Sequence, residues 1–225
     1  MSAVNNISIH FSASDSEKAR FESELHEAIE LVKTWWGATF EKHIRVVVVD
    51  RASGPSMALL AAWSGQRGYM EFVLATVLRK QAAIIHEVTH VFAPNGNRLL
   101  AEGLACYAHE LLGGAPAFPN FGSHLHKLAG IVARPNLIVR LDAFPTPVRL
   151  SHPELNERNL YVAAGSFVRF LIEQFGLDQF RRLYALTPLK PGERIPGDLE
   201  RWNIIYDKPV TALEALWIAF LQEDH

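Results

Sequence analysis

The chain reads as an α+β protein, with a small N-terminal mixed sheet followed by a mainly helical C-terminal half. Three observations lead there. β-Branched, strand-like segments are confined to the first 77 residues. From residue 78 onward apolar residues recur at helical spacing to the end of the chain. Hydrophobic residues make up 49% and charged residues 20% of the 225 positions, enough for an ordinary buried core. Strands first and helices afterwards is an α+β order. The length suits one domain, taken as 1–225, with a strand-rich part at 1–77 and a helical part at 78–225.

Taken in order, Ile7-Ser8-Ile9-His10-Phe11 alternates apolar and polar residues as a short strand does. Ser14 with Glu17 forms a capping-box pattern, and Phe21, Leu25, Ile29, Val32 and Trp36 give the helix behind it one apolar face. Ile44 to Asp50 is the clearest strand, rich in valine and expected to be buried on both faces. Residues 57–75 read as one or two further strands, broken at Ser64-Gly65 and Arg67-Gly68. The next helix is apolar around most of its circumference, from Ala82-Ala83-Ile84-Ile85 to Val91-Phe92-Ala93, and so belongs in a core. Pro94, Asn95 and Gly96 end it. A second helix runs from Arg98 through Ala108 and stops near Gly113-Gly114. Loops are expected near 114–121, 134–150 and 187–197. A capping box of Ser151 and Glu154 is expected to open another core helix, with Leu160, Ala164, Phe167 and Leu171 on one side and Val168 and Ile172 on another. No internal repeat or low-complexity segment is present.

Chemistry enters at His86-Glu87-Val88-Thr89-His90. Residues four apart stack along one helix face, so His86 and His90 project two imidazoles together. Two neutral imidazoles and a carboxylate form a catalytic Zn²⁺ ligand set, with one position left to water. Glu87, one step round the helix, is placed to take a proton from that water and is too offset to be a good ligand itself. This is the HExxH pattern of zinc peptidases. Polar groups in so apolar a helix are costly unless paired or metal-bound. A helix–turn–helix hairpin would carry Glu102 back over the histidine face, and Glu102 is otherwise an odd carboxylate among Leu99, Leu100, Ala101 and Leu104. His109, two turns beyond Glu102 on the same face, is the rival third ligand.

His86-Glu87-Val88-Thr89-His90 followed by Leu100-Ala101-Glu102-Gly103-Leu104-Ala105 resembles the gluzincin peptidases, specifically the compact peptidase MA-like domains. Those are similar to the catalytic domains of zinc aminopeptidases and thermolysin. The resemblance implies a zincin-like fold and a zinc metallopeptidase activity, with the glutamate of the Glu-Gly pair, here Glu102, as third ligand. It extends more loosely over residues 40–221, through Tyr161 to Val168 and Ala215 to Leu221. Two departures stand out. Leu99 replaces the tryptophan that the aminopeptidases place three residues before the ligand, and the eleven residues between His90 and Glu102 are fewer than in those relatives. Their substrate preference therefore does not transfer with the metal.

A zinc hydrolase also needs a donor for the oxyanion that forms when hydroxide attacks a carbonyl. Tyr161, 59 residues after Glu102 on the expected core helix, is the first choice, and the resembling aminopeptidases use a tyrosine on a comparable helix. His124, His126 and His152 are the alternatives, in or beside loops. Gly68-Tyr69-Met70-Glu71-Phe72 partly resembles the Gly-x-Met-Glu-Asn segment with which aminopeptidases hold a free amine, with Phe72 in place of Asn. A strand just ahead of the zinc helix also offers an edge to which an extended peptide can add. The expected activity is hydrolysis of a peptide or protein substrate. The alternatives are a noncatalytic zincin-like module that binds a protein partner, and a zinc hydrolase of another amide or ester.

Composition excludes other classes. A net charge of −2 with scattered basic residues offers no face for nucleic acid. No apolar run reaches the length of a membrane span, and Met1 to Asn6 lack the basic start and apolar stretch of a signal peptide, so the expectation is a cytoplasmic protein. The single Cys106 excludes an intrachain disulfide and is expected to pack in the core.

Overall fold

The computed structural model describes residues 7–37, 43–51, 56–59, 68–143, 155–187 and 200–223. Two compact units emerge, the first formed by 1–94 with 108–122 and the second by 95–107 with 123–225. No helix among the described residues is long and apolar enough to cross a membrane.

The first unit is a four-stranded sheet with helices against it. Its strands are β1 (Ile7–His10), β2 (Ile44–Val49), β3 (Met57–Leu59) and β4 (Gly68–Val73), in the order β1-β2-β4-β3. β1 and β4 both run parallel to β2, while β3 pairs antiparallel with β4 at the edge, Ala58 opposite Met70. The parallel β1–β2 pair needs a crossover, and helix α1 (Asp15–Trp36) supplies it. The expected capping box is present: the Ser14 side chain accepts from the Glu17 N–H, and Glu17 accepts from the Ser14 backbone. Gly37 in the left-handed region ends the helix at φ 72°. Phe21, Leu25, Ile29 and Val32 lie buried on the expected face, and Phe21 meets Phe72 of β4 edge to face at 5.3 Å. After β4 come the short α2 (Leu74–Leu78) and then α3 (Ile84–Phe92), which packs on α1, β3 and β4. Ile85, Val88, Val91 and Phe92 of α3 join this core.

Strand β2 departs from its expectation. Ile44, Val46 and Val48 are buried, whereas Arg45 is exposed and Val47 and Val49 are only half covered. It shows one helix-covered face, so alternation rather than two-sided burial describes it. The proposed sheet edge needs correction too. β4, the last strand before α3, is flanked by β2 and β3, so β3 is the edge strand beside it among the described residues.

The second unit is helical. It holds the first part of α4 (Arg98–Leu111), then α5 (Leu125–Val132), α6 (Leu137–Ala143), α7 (Glu157–Phe175), α8 (Leu177–Ala185), α9 (Glu200–Tyr206) and α10 (Val210–Gln222). α7 is the apolar core helix the sequence predicts, buried at nearly every position from Leu160 to Ile172. Its cap is Asn156, whose side chain accepts from the Asn159 N–H. The predicted capping box at Ser151 and Glu154 lies outside the described residues, as do Ser64-Gly65, Arg67 and His152. α6 occupies part of the expected 134–150 loop. Its first turn is capped from far along the chain, because Glu214 of α10 accepts from the N–H groups of Asn136 at 2.9 Å and Ile138 at 2.6 Å. No local pattern announces such a cap.

Candidate metal centre

All nine residues of α3 are buried, including His86, Glu87, Thr89 and His90. The helix starts without a side-chain cap, and its polar residues look inward for partners. Thr89 returns its hydroxyl to the Ile85 carbonyl at 2.7 Å. The Nε2 atoms of His86 and His90 lie 3.1 Å apart, with the rings nearly perpendicular at 82°. Two imidazole nitrogens on one tetrahedral Zn²⁺, each at about 2.0–2.1 Å, sit roughly 3.3 Å apart. The observed spacing matches that, and it also suits a hydrogen bond between the rings.

The turn after α3 determines where the next helix begins. Asn95 is buried, donates from its amide to the Tyr184 carbonyl at 3.0 Å, and accepts from the Asn97 N–H at 2.8 Å. Asn97 then caps α4, its side-chain oxygen accepting from the Leu100 N–H at 3.1 Å. The Asn97 amide donates to Asp142 at 2.9 Å, and Asp142 is further held by Arg201 at 2.5 Å and by the Trp202 indole N–H at 2.9 Å. Glu102, 2% exposed, follows one turn into α4. One ligand atom each from His86, His90 and Glu102 lies within 4.8 Å of the others, and all three residues are buried. This is a hard and borderline donor set of two nitrogens and one carboxylate oxygen, and it fits Zn²⁺. Glu102 is also paired with the Arg98 guanidinium, one turn earlier on the same helix.

The Glu-Gly pair has a packing reason. A Cβ at Gly103 would fall 2.5 Å from Cγ2 of Val168 and 2.6 Å from the carbonyl oxygen of Ala164, both on α7. One turn along, a Cβ at Gly165 of α7 would fall 2.8 Å from Cβ of Cys106. α4 and α7 thus meet nearly backbone to backbone, and Cys106, buried and in no disulfide, packs at this contact as expected.

His109, the rival ligand, is not part of the donor group. Its Nε2 donates to the Ala115 carbonyl at 2.7 Å, and its ring lies against Gly114, where a Cβ would be 2.4 Å away. Burial pushes its pKa down to about 4, so the ring is neutral. Tyr161 sits on α7, 9% exposed. His126 is engaged at both nitrogens, with Ser166 at 2.7 Å and Glu173 at 3.4 Å, while Ser166 also accepts from Trp217. His124 is an exposed residue at the start of α5. Glu71 pairs with Arg51 at 2.7 Å and accepts from the Tyr69 hydroxyl at 2.8 Å.

Sequence reasoning missed Arg98, Asn97, Asp142 and Arg201. The i,i+4 spacing of Arg98 and Glu102 was a readable signal. The 59 residues separating Asp142 from Arg201 left none. No family model, no curated protein and no solved structure matches this chain.

Proposed function

We propose that this chain is a zinc-dependent peptidase of the gluzincin type on a zincin-like fold. The observation that carries the reading is the gathering of His86, His90 and Glu102, all buried, with Glu87 one residue from the first ligand on the same helix. Bound by these three residues, Zn²⁺ supplies Lewis acidity, lowering the pKa of a water toward neutrality and polarising a carbonyl.

The protein's own groups do the rest. Glu87, projecting about 100° round the helix from His86, takes the proton of the attacking water and passes it to the leaving amine. Its burial, 4% exposed, keeps bulk water from competing for that proton. Tyr161 is the proposed hydroxyl donor to the oxyanion. An extended peptide would add to β3, the antiparallel edge strand that packs on α3.

The test combines metal analysis with a mixed peptide-library digest. One zinc per chain and cleavage products are expected from the parent, and Glu87→Gln should keep the metal while losing at least about 10²–10⁴-fold in rate. Full hydrolysis by Glu87→Gln would sink its assignment. Stoichiometric zinc with no cleavage of any peptide would instead favour a noncatalytic binding module or an enzyme for another amide or ester.

A further inference from the structure

Arg98 is placed where helix stability gives no reason for it. It is the first residue of α4 after the Asn97 cap, and α4 carries no acidic residue in its first turn. A cation there opposes the helix dipole. An Arg-to-Glu pair at i,i+4 is also the less favourable of the two orders, since the acidic member serves a helix better on the N-terminal side. Yet the Arg98 guanidinium pairs with Oε1 of Glu102, a side chain 2% exposed, while remaining 17% exposed itself. The carboxylate it reaches is the one that lies with His86 and His90.

We infer that Arg98 is a positioning residue for the metal-binding carboxylate. It holds Oε1 of Glu102 so that the side chain meets a divalent cation through one oxygen, in a rotamer already set. The inference rests on the metal reading above. A buried carboxylate without a partner is unfavourable, and it would turn toward whatever donor it could reach. The guanidinium removes that freedom by holding one carboxylate oxygen in a charge-assisted pair. The backbone that leads into Arg98 is well anchored. Asn97, immediately before it, is fixed by its cap to Leu100 and by Asp142, which Arg201 and Trp202 hold in turn. The result is a chain of contacts from the core of the helical unit to one ligand atom.

The experiment uses the full chain with Co²⁺ as probe, read by visible absorption and by competition with a chelator. Arg98→Gln, Arg98→Lys and the parent are compared, with circular dichroism and the thermal midpoint as folding controls. Arg98→Gln is expected to weaken Co²⁺ binding about 10- to 100-fold and to change the intensity of the ligand-field band, as the carboxylate gains freedom to bind through both oxygens. Arg98→Lys should recover much of the affinity, because the charge is kept, but not the parent band, because a point charge does not hold the oxygen as a planar fork does. A purely structural role would lower the midpoint and leave the band of the folded fraction unchanged. Parent affinity and parent band in a folded Arg98→Gln would overturn the inference alone. Should that variant not fold, Arg98→Lys decides: an altered band supports the inference, and a parent band with parent affinity overturns it. A parent chain that binds no Co²⁺ would overturn the metal reading and the inference with it.

Discussion

At Gly103 the missing side chain matters as much as the carboxylate beside it. The Ala164 carbonyl that a Cβ would strike is backbone and cannot rotate away, unlike the Val168 methyl. Gly103→Ala should therefore lower stability by about 1–3 kcal/mol, seen as a lower thermal midpoint. An unchanged midpoint would mean that α4 and α7 can part freely. The residue scale was also the most legible one. His86, Glu87, His90 and Glu102 could be named from spacing and from polar groups in an apolar context, because i,i+4 geometry is intrinsic to a helix. Gly103 was legible as part of a signature, but its reason lies on α7, about sixty residues further along.

Among the elements, α4 depends most on its start. Asn97→Ala removes the cap from Leu100 and a hydrogen bond to the buried Asp142. Ser14→Ala removes only an exposed cap from α1. Both should cost about 1 kcal/mol from the cap, with Asn97→Ala costing about 1–2 kcal/mol more because a buried carboxylate loses a donor. Denaturant midpoints compare the two directly, and equal losses would show that the Asp142 contact contributes nothing. α1 was readable from its local capping box, and β1, α3 and α4 from local periodicity and breakers. α6 was not, since the acceptor for its first turn comes from Glu214 on α10. β2 was readable as a strand but not as a half-covered one, because burial depends on what packs over each face.

For the molecule as a whole, His109 sets an acid limit on stability. Burial favours its neutral form, so its pKa falls from 6.5 in an open chain to about 4 when folded. The unfolded chain takes up this proton first as pH drops, so the stability is full above pH 6.5 and is lost between 6.5 and about 4. The loss amounts to about 3 kcal/mol. In the presence of a chelator, His109→Gln should flatten the pH dependence of the denaturant midpoint in that window; parallel slopes for parent and variant would refute the effect. By itself the sequence determined the α+β order, the two helices on either side of Pro94 and the pairing of His86 with His90 on one helix face, because these rest on periodicity, breakers and side-chain spacing within a few turns. Tertiary structure alone decided that Glu102 rather than His109 joins the two histidines, that β3 is the edge strand, and that Arg98 and the Asp142 cluster stand behind the third donor. Those outcomes depend on contacts between segments tens of residues apart, and no local pattern of residues encodes where such segments meet.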